Sequence, residues 1–486
     1  MTAKCLLSLK ILTNVPQKNR GEEQRDLTPK KTDDVTWCHH EYWHQQMWIN
    51  FDDIVFTREQ NTMTKARHFI FLGMGTLGDI FPFLSLAVEM QLRGHEVTIL
   101  LAPVHASHAE KAGISYKIFG TQADYDAALR HPDMWEIRKG MGIVLESSKS
   151  VLTELPGYIA SLSAEQDCVL VVHPLGLPAA DIARSFRPDI PVVAAYLAPS
   201  NLRTVHNPLV MGDLFIPQWL PVWMRRWLWT YADKNFIDPV AVPIINQARQ
   251  ARNLSTISSL APHMYAVPDL SISFFPDWFA PVQPDWPAPL AMGEFQLYDS
   301  NLVTDLSTEL EEFLAAGPAP LIFTPGSGNI QASHYFLCAQ QAVQKLGLRA
   351  IFLTSHREQI TTALPDNILW QSYLPLRSIL PRASALIHHG GIGTTAEALR
   401  AGTPQLVTPL AFDQFDNAAR VKKLGTGDFI RMSRLTGSKL TRSLQQLLAS
   451  EVIKTSCAQV AKKFKQNGYA DSLCNAIETL QSKQKS

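Results

Sequence analysis

The stretch SALIHHGGIGTTAEAL, residues 384–399, decides the fold, because three signals change within it. An uncharged apolar run, SALI, reads as a buried strand, the pair Gly390–Gly391 breaks it, and TTAEAL reads as the opening of a helix. A strand delivered into a glycine turn and then a helix is one βα unit of an open parallel sheet. The glycines let backbone approach a ligand, and the N–H groups and positive dipole end of the new helix favour a phosphate. His389 can donate to the same anion, Thr394 can add a hydroxyl, and Glu397, one turn into the helix, suits ribose hydroxyls. His388 reads as a strand-end core histidine.

Working outward, the same alternation runs through PLIFTPGS, RAIFLTS, NILWQSYL, PQLVTPL and GDFIRM. A second series starts at His68 with HFIFLGM, a glycine loop, an amphipathic run and EVTILLA, then continues through CVLVVH and PVVAAYL. The expected fold is therefore α/β with two facing Rossmann-like, doubly wound domains and a cleft between them. The divisions are a poorly structured extension over 1–62, a first such domain over 63–303, and a second with terminal helices over 304–486. Ligands of such sheets bind beyond the carboxyl ends of the strands.

The loop GMGTLG, Gly73–Gly78, matches the dinucleotide fingerprint, but EVTILLAPVH supplies no acidic residue at the end of the second strand for a ribose. Asp79 follows this loop, ahead of a helix expected to begin at Phe81 and Pro82. It suits helix N-capping, and it equally suits a general base in the cleft if desolvation raises its pKa. The residues alone leave both roles open.

Composition excludes several classes. The 44 basic and 44 acidic side chains balance, so no nucleic-acid footprint is expected. The six cysteines are scattered without a CxxC pair, which argues for a reducing, cytoplasmic setting over a disulfide framework. No run of about 18 uncharged apolar residues exists to span a bilayer. In the N-terminal extension, WCHHEYWH places Cys38, His39, His40 and His44 at spacings that suit a metal, but no second ligand pair follows, and a loosely ordered extension is the simpler reading.

The segment HHGGIGTTAEALRAGTPQLVTPLAFDQFDNAARV, residues 388–421, resembles the C-terminal signature of the nucleotide-sugar-dependent glycosyltransferases of the GT-B fold. GDIFPFLSLA, FFPDWFAPVQPDWPAPL and YLPLRSILP resemble most the rhamnolipid rhamnosyltransferases and sterol glucosyltransferases of that family. The resemblance covers about residues 64–475. It implies diphosphate contacts at His389, Gly391 and Thr394, with Gly393 in the same turn, and a ribose contact at Glu397. It implies donor-sugar recognition by Asp413 and Gln414, a hydroxyl near the phosphates at Ser327, and a catalytic base at Asp79. Where many relatives carry Trp-x-Pro-Gln, this chain has Tyr373, Leu374, Pro375 and Leu376. Tyr373 can stack under a pyrimidine, Leu376 cannot bond a ribose, and uridine against thymidine stays open. His173 falls where relatives supply an acidic partner to a catalytic histidine, and is divided here between an acceptor pocket and the core.

The implied reaction is a single inverting displacement from a UDP- or dTDP-sugar, with no obligatory divalent cation or other cofactor. Asp413-x-x-Asp416 is better read as sugar recognition plus a helix-start acid than as a metal motif. In FIPQWLPVWMRRWLWTYADK, Trp219, Trp223, Trp227 and Tyr231 recur every four residues along one helical stripe. That stripe reads as core, as the wall of a lipophilic acceptor site, or as an interfacial helix giving peripheral contact with the inner face of a membrane. Two other classes remain in view. A sugar-nucleotide 2-epimerase would lack an apolar acceptor pocket, and a non-catalytic carbohydrate- or lipid-binding protein would be expected to lose the base or the cradle.

Overall fold

A computed structural model describes residues 66–481 apart from 137–138, 208–209, 212–213, 299–305 and 465–468. The extension over 1–62, with its Cys38 and histidine cluster, lies outside the described residues. Strands β1 (His68–Leu72), β2 (Glu96–Leu101), β3 (Ser115–Ile118), β4 (Cys168–Val172) and β5 (Val192–Tyr196) belong to the first sheet. A short antiparallel hairpin, β6 (Val210–Met211) and β7 (Leu214–Phe215), stands apart, and β8 (Leu270–Ser273) and β9 (Leu290–Met292) complete that sheet. Its order is β3-β2-β1-β4-β5-β8-β9, all parallel. The second sheet is built from β10 (Leu321–Thr324), β11 (Ala350–Leu353), β12 (Ile368–Gln371), β13 (Ala385–His388), β14 (Gln405–Val407) and β15 (Gly427–Phe429), in the parallel order β12-β11-β10-β13-β14-β15.

The chemistry of the strands explains the parallel pairing. HFIFL of β1 and CVLVV of β4 are buried at every position, as strands covered by helices on both faces must be. In each sheet the order reverses beside the first strand, between β1 and β4 and again between β10 and β13. At such a switch the two following loops diverge and leave a crevice. The loops concerned carry Gly73–Asp79 and His173 in the first sheet, and Pro325–Gly328 and His389–Gly391 in the second.

Two expectations need correction. The first helix spans Leu77–Leu92, not a stretch beginning at Phe81, so Asp79 sits inside its first turn and Thr76 is the N-cap. The helix Tyr469–Glu478, expected to stay with the second domain, packs on the first sheet instead: Leu473, Cys474 and Ile477 are fully buried in the core of that half. Polar contacts reinforce the return. Arg93 bonds Asp471 at 2.6 Å and Asn475 at 2.8 Å, and His95 meets Glu478 at 3.0 Å. Local periodicity cannot reveal this, because the partner surface lies hundreds of residues away.

The return helix generates a stability prediction. Leu473 fills the space above Gly293, where an added Cβ would come within 2.4 Å of its Cδ1. Leu473→Ala should destabilise the chain by about 2–5 kcal/mol through lost burial and a residual cavity. Urea unfolding measures it, and a change below about 1 kcal/mol would show that the helix contributes little to the first half.

Candidate active site

Both crevices open into one cavity of about 2080 Å³. On the side of the second sheet, β13 ends at His388, which is fully buried and bonded at both ring nitrogens: Nε2 to Gln405 Oε1 at 3.0 Å, and Nδ1 accepting from Gly390 N at 3.2 Å. Gly390 has φ 97°, and a Cβ there would stand 2.6 Å from Val407 Cγ1, so only glycine makes this turn. The chain then enters the helix Ile392–Ala401, whose N-terminal turn lines the cavity through Gly391, Gly393 and Thr394. Gly393 faces Gly78 closely, a Cβ on it lying 3.9 Å from Gly78 Cα, so the starts of two helices meet at the cavity.

His389 is wedged between two glycine backbones. A Cβ on Gly391 would lie 2.5 Å from its Nε2, and one on Gly326 would lie 2.7 Å from its Cε1. Its Nδ1 is buried and has no hydrogen-bond partner among the described residues, and burial pushes its pKa down to about 4. A neutral imidazole held in a glycine cradle at a helix N-terminus, beside the Ser327 loop, suits hydrogen bonding to a phosphate. Glu397 lines the same cavity; burial raises its pKa while Arg400, bonded at 2.6 Å, opposes the rise. Tyr373 presents a largely exposed ring to the cavity near Glu397, and partial burial of the phenol, then the charge of Glu397, raise its pKa.

Asp413 is the N-cap of the helix Gln414–Lys423, and Gln414 is its first residue. Gln414 Oε1 accepts from Leu410 N at 2.8 Å and Ala411 N at 3.2 Å, which leaves its amide group to face a ligand. Asp416 is turned to Arg420 at 2.7 Å and so does not converge with Asp413. A residue with no signal of its own in the sequence completes this corner. The Nδ2 of buried Asn417 donates both to Gly390 O at 2.9 Å and to Asp413 Oδ2 at 2.7 Å, tying the glycine turn to the acid.

Across the cavity, Asp79 Oδ2 accepts from Thr76 N at 2.8 Å and Thr76 Oγ1 at 3.2 Å. Gly75, at φ 107°, is held so close that a Cβ would touch this carboxylate. Asp79 therefore caps and faces the cavity at once. Burial pushes its pKa up to about 6, and pushes Asp413 up to about 7, with the charge of Asp79 adding to the rise at Asp413. Hydrogen bonds from Thr76 and Asn417 respectively oppose these shifts. His173 lines the cavity and is buried; its Nδ1 accepts from Leu175 N at 3.2 Å, and burial lowers its pKa to about 4.

The acceptor side departs from expectation. Trp219, Trp223 and Trp227 are 80%, 67% and 58% exposed and do not line the cavity. Helical spacing revealed a stripe but not its direction. The helix Val222–Ala232 turns Leu228 and Trp229 inward instead, with Trp229 Nε1 donating to Thr204 O at 3.2 Å and the Arg203 guanidinium 4.3 Å above its ring. Met134, Trp135, Met141, Leu145 and Met264 complete an apolar wall, with His105 and Tyr125 at its polar end.

Two parallel-sheet domains sharing a switch-point cleft are the GT-B architecture, and both halves of the chain match glycosyltransferase profiles. Residues 69–173 match the glycosyltransferase family 28 N-terminal domain, and residues 348–477 match the C-terminal domain of erythromycin biosynthesis protein CIII-like proteins. The chain is 25% identical over 429 residues to O-mycaminosyltylonolide 6-deoxyallosyltransferase of Streptomyces fradiae, covering 84% of this chain and 96% of that one. It is 28% identical over 387 residues to glycosyltransferase GtfE of Amycolatopsis orientalis, covering 78% and 89%. Among solved structures, the glycotransferase of kitacinnamycin superposes with a TM-score of 0.65 at 18% identity, covering 85% of this chain and 99% of that one. The spinosyn rhamnosyltransferase SpnG complexed with thymidine diphosphate gives 0.58 at 20% identity, covering 85% and 100%.

The buried acids and histidines predict opposite pH trends. A raised carboxyl pKa stabilises the fold at low pH, and that contribution is lost as pH climbs through the folded value; Asp79 and Asp413 behave this way. His173, His388 and His389, lowered to about 4, 3 and 4, contribute stability that is lost as pH falls from their ordinary value of 6.5. The difference between wild type and Asp413→Asn cancels the histidines. The variant should gain melting temperature relative to wild type progressively between about pH 4 and pH 8. A gap that is constant with pH would mean that Asp413 titrates normally.

Proposed function

We propose that this chain moves a hexose from a UDP- or dTDP-sugar to a hydroxyl of a lipophilic secondary-metabolite acceptor, with inversion at the anomeric carbon. The observation that carries the reading is a single cavity with a neutral, glycine-cradled histidine and a helix N-terminus on one side and a buried, pKa-raised carboxylate against an apolar wall on the other. The acceptor oxygen forms a bond to the anomeric carbon as its proton passes to Asp79. The bond from that carbon to the diphosphate oxygen breaks, and its electron pair leaves with the nucleoside diphosphate. A base with pKa near 6 is mostly ionised at neutral pH yet still basic enough to take the proton. Charge growing on the diphosphate meets the helix start at Gly391–Thr394 and His389, so binding needs no divalent cation.

Asp413 and the Gln414 amide would read sugar hydroxyls, Glu397 the ribose, Tyr373 the base, and Ser327 a phosphate oxygen. His173 supports the acceptor wall and not proton transfer, since it is buried and its Nδ1 is engaged by backbone. One relative is named for transfer to O-mycaminosyltylonolide, and the C-terminal match is to an erythromycin biosynthesis protein, which favours a bulky secondary-metabolite aglycone over the lipid and sterol acceptors that the short motifs suggest. Four buried free thiols are in keeping with work in the cytoplasm, including at the inner face of the membrane. The apolar wall of Met134, Trp135 and Trp229 favours a transferase over a 2-epimerase, which needs no second substrate.

Asp79→Asn keeps the shape and most of the capping capacity but cannot accept a proton. Transfer to acceptor should fall by about 10² to 10⁴ while nucleoside diphosphate affinity holds. Near-normal turnover with a melting temperature lowered by the loss of about 1 kcal/mol would leave Asp79 as a cap alone. On the donor side, His389→Ala and Glu397→Ala should each weaken nucleoside diphosphate binding by about 1–3 kcal/mol, with or without chelator. Unchanged calorimetric affinity in both would remove the cradle.

A further inference from the structure

The three tryptophans of the stripe do not line the cavity and are left with their rings in water, while Tyr231, about half exposed, also lines it. Trp219 in the turn before the helix, then Trp223, Trp227 and Tyr231 along Val222–Ala232, share one outward face. Four clustered aromatic rings are not the scattered exposure of an ordinary surface. We propose that this face docks on an anionic phospholipid bilayer, so that a lipophilic acceptor passes from the membrane into the cavity.

Three observations select a bilayer as the occupant. The residues are Trp and Tyr, whose rings are apolar but end in an N–H or O–H, a combination suited to the headgroup layer. The cations beside them are unpaired. Arg226 and Lys234 are exposed, and their side chains have no ion pair or hydrogen bond among the described residues. The neighbouring acids are occupied inward: Asp233 binds Arg203 through both carboxylate oxygens at 2.6 and 2.7 Å, and Asp238 accepts from Leu260 N at 2.9 Å. What the face offers outward is therefore aromatic rings with net positive charge, the complement of an anionic headgroup layer.

The third observation is continuity with the cavity. Trp227 stacks on Tyr231 with ring centroids 5.6 Å apart, Tyr231 meets Phe236 edge-on at 6.1 Å, and Tyr231 and Phe236 both line the cavity. An unbroken row of rings thus runs from the exposed stripe to the apolar wall. No described helix is long and apolar enough to cross a membrane, so the contact is that of a helix lying at the interface. Acceptor entry rests on the transferase reading proposed above; bilayer docking does not.

The test is flotation of the full chain with vesicles of phosphatidylcholine and phosphatidylglycerol in equal parts, and with phosphatidylcholine alone. The chain should float with the anionic vesicles, less so as salt rises. Combined Trp219→Ser, Trp223→Ser and Trp227→Ser should lower the partition coefficient by about tenfold or more. Arg226→Gln and Lys234→Gln should each lower it about fivefold on anionic vesicles and leave neutral vesicles unchanged. Nucleoside diphosphate binding, measured alongside, should stay intact in all these variants, since none of the residues lines the donor side. Absence of flotation by wild type, or flotation unaffected by both sets of substitutions, overturns the proposal. So does a dimer in size exclusion that the tryptophan substitutions abolish, because the stripe would then be covered by a second copy. Flotation without nucleoside diphosphate binding would sustain the docking face and remove the transferase reading, and the reverse result would do the opposite.

Discussion

Everything at the donor side depends on how the peptide group around Gly390 is held. Its positive φ admits no side chain, its N–H is taken by the Nδ1 of His388, and its carbonyl is taken by the amide of Asn417. Both partners are fully buried, so the two hydrogen bonds are shielded from water, and breaking either would strand a polar group in the interior at a cost of about 1–3 kcal/mol. A turn fixed in this way sets the direction in which His389 leaves the strand and where the helix Ile392–Ala401 begins. Because Asn417 also donates to Asp413, the same constraint locates a buried acid on the next loop. The glycine turn, the helix start and Asp413 are therefore tied into one rigid unit.

A rigid donor side faces an acid that is held differently. Asp79 is fixed by its own helix, through bonds from Thr76, and its Oδ1 makes no hydrogen bond among the described residues. Capping thus occupies one oxygen and leaves the other unbonded among the described residues, so capping and the proposed base role do not compete for the same atom. Burial that would be a defect in a purely structural cap is what brings the carboxyl towards the range where a base is useful. Asp413 is raised further, first by burial and then by the charge of Asp79, so the two acids disfavour each other's ionisation.

Much of this was legible because the determinants are local. The strand–Gly–Gly–helix sequence at 384–399 announces its own turn, and the apolar runs of β1 after His68 and of β4 announce a sheet covered on both faces. What escaped depends on contacts between distant segments. Asn417 reads as an ordinary polar residue of an amphipathic helix, because its two acceptors come from loops that only the fold brings together. The helix Tyr469–Glu478 reads as a terminal helix of the second domain, because its periodicity specifies an apolar face but not the surface that covers it. The stripe at Trp219–Tyr231 is the same limit in its plainest form, since a helical period locates a face without saying whether it points to core, cavity or solvent.

The direction of that stripe has a physical cause inside the helix that carries it. Arg225 is buried and donates to the carbonyls of Leu220, Val205 and His206, and Trp229, one turn later, is buried against Thr204 and Arg203. These two residues anchor the helix by the face at i and i+4, and a guanidinium serving three backbone carbonyls cannot be rotated outward without leaving all three unpaired. With Arg225 and Trp229 inward, Trp223 and Trp227 must fall on the opposite side. Arg225 is thus the residue that decides which rings meet the cavity and which meet the surroundings of the protein.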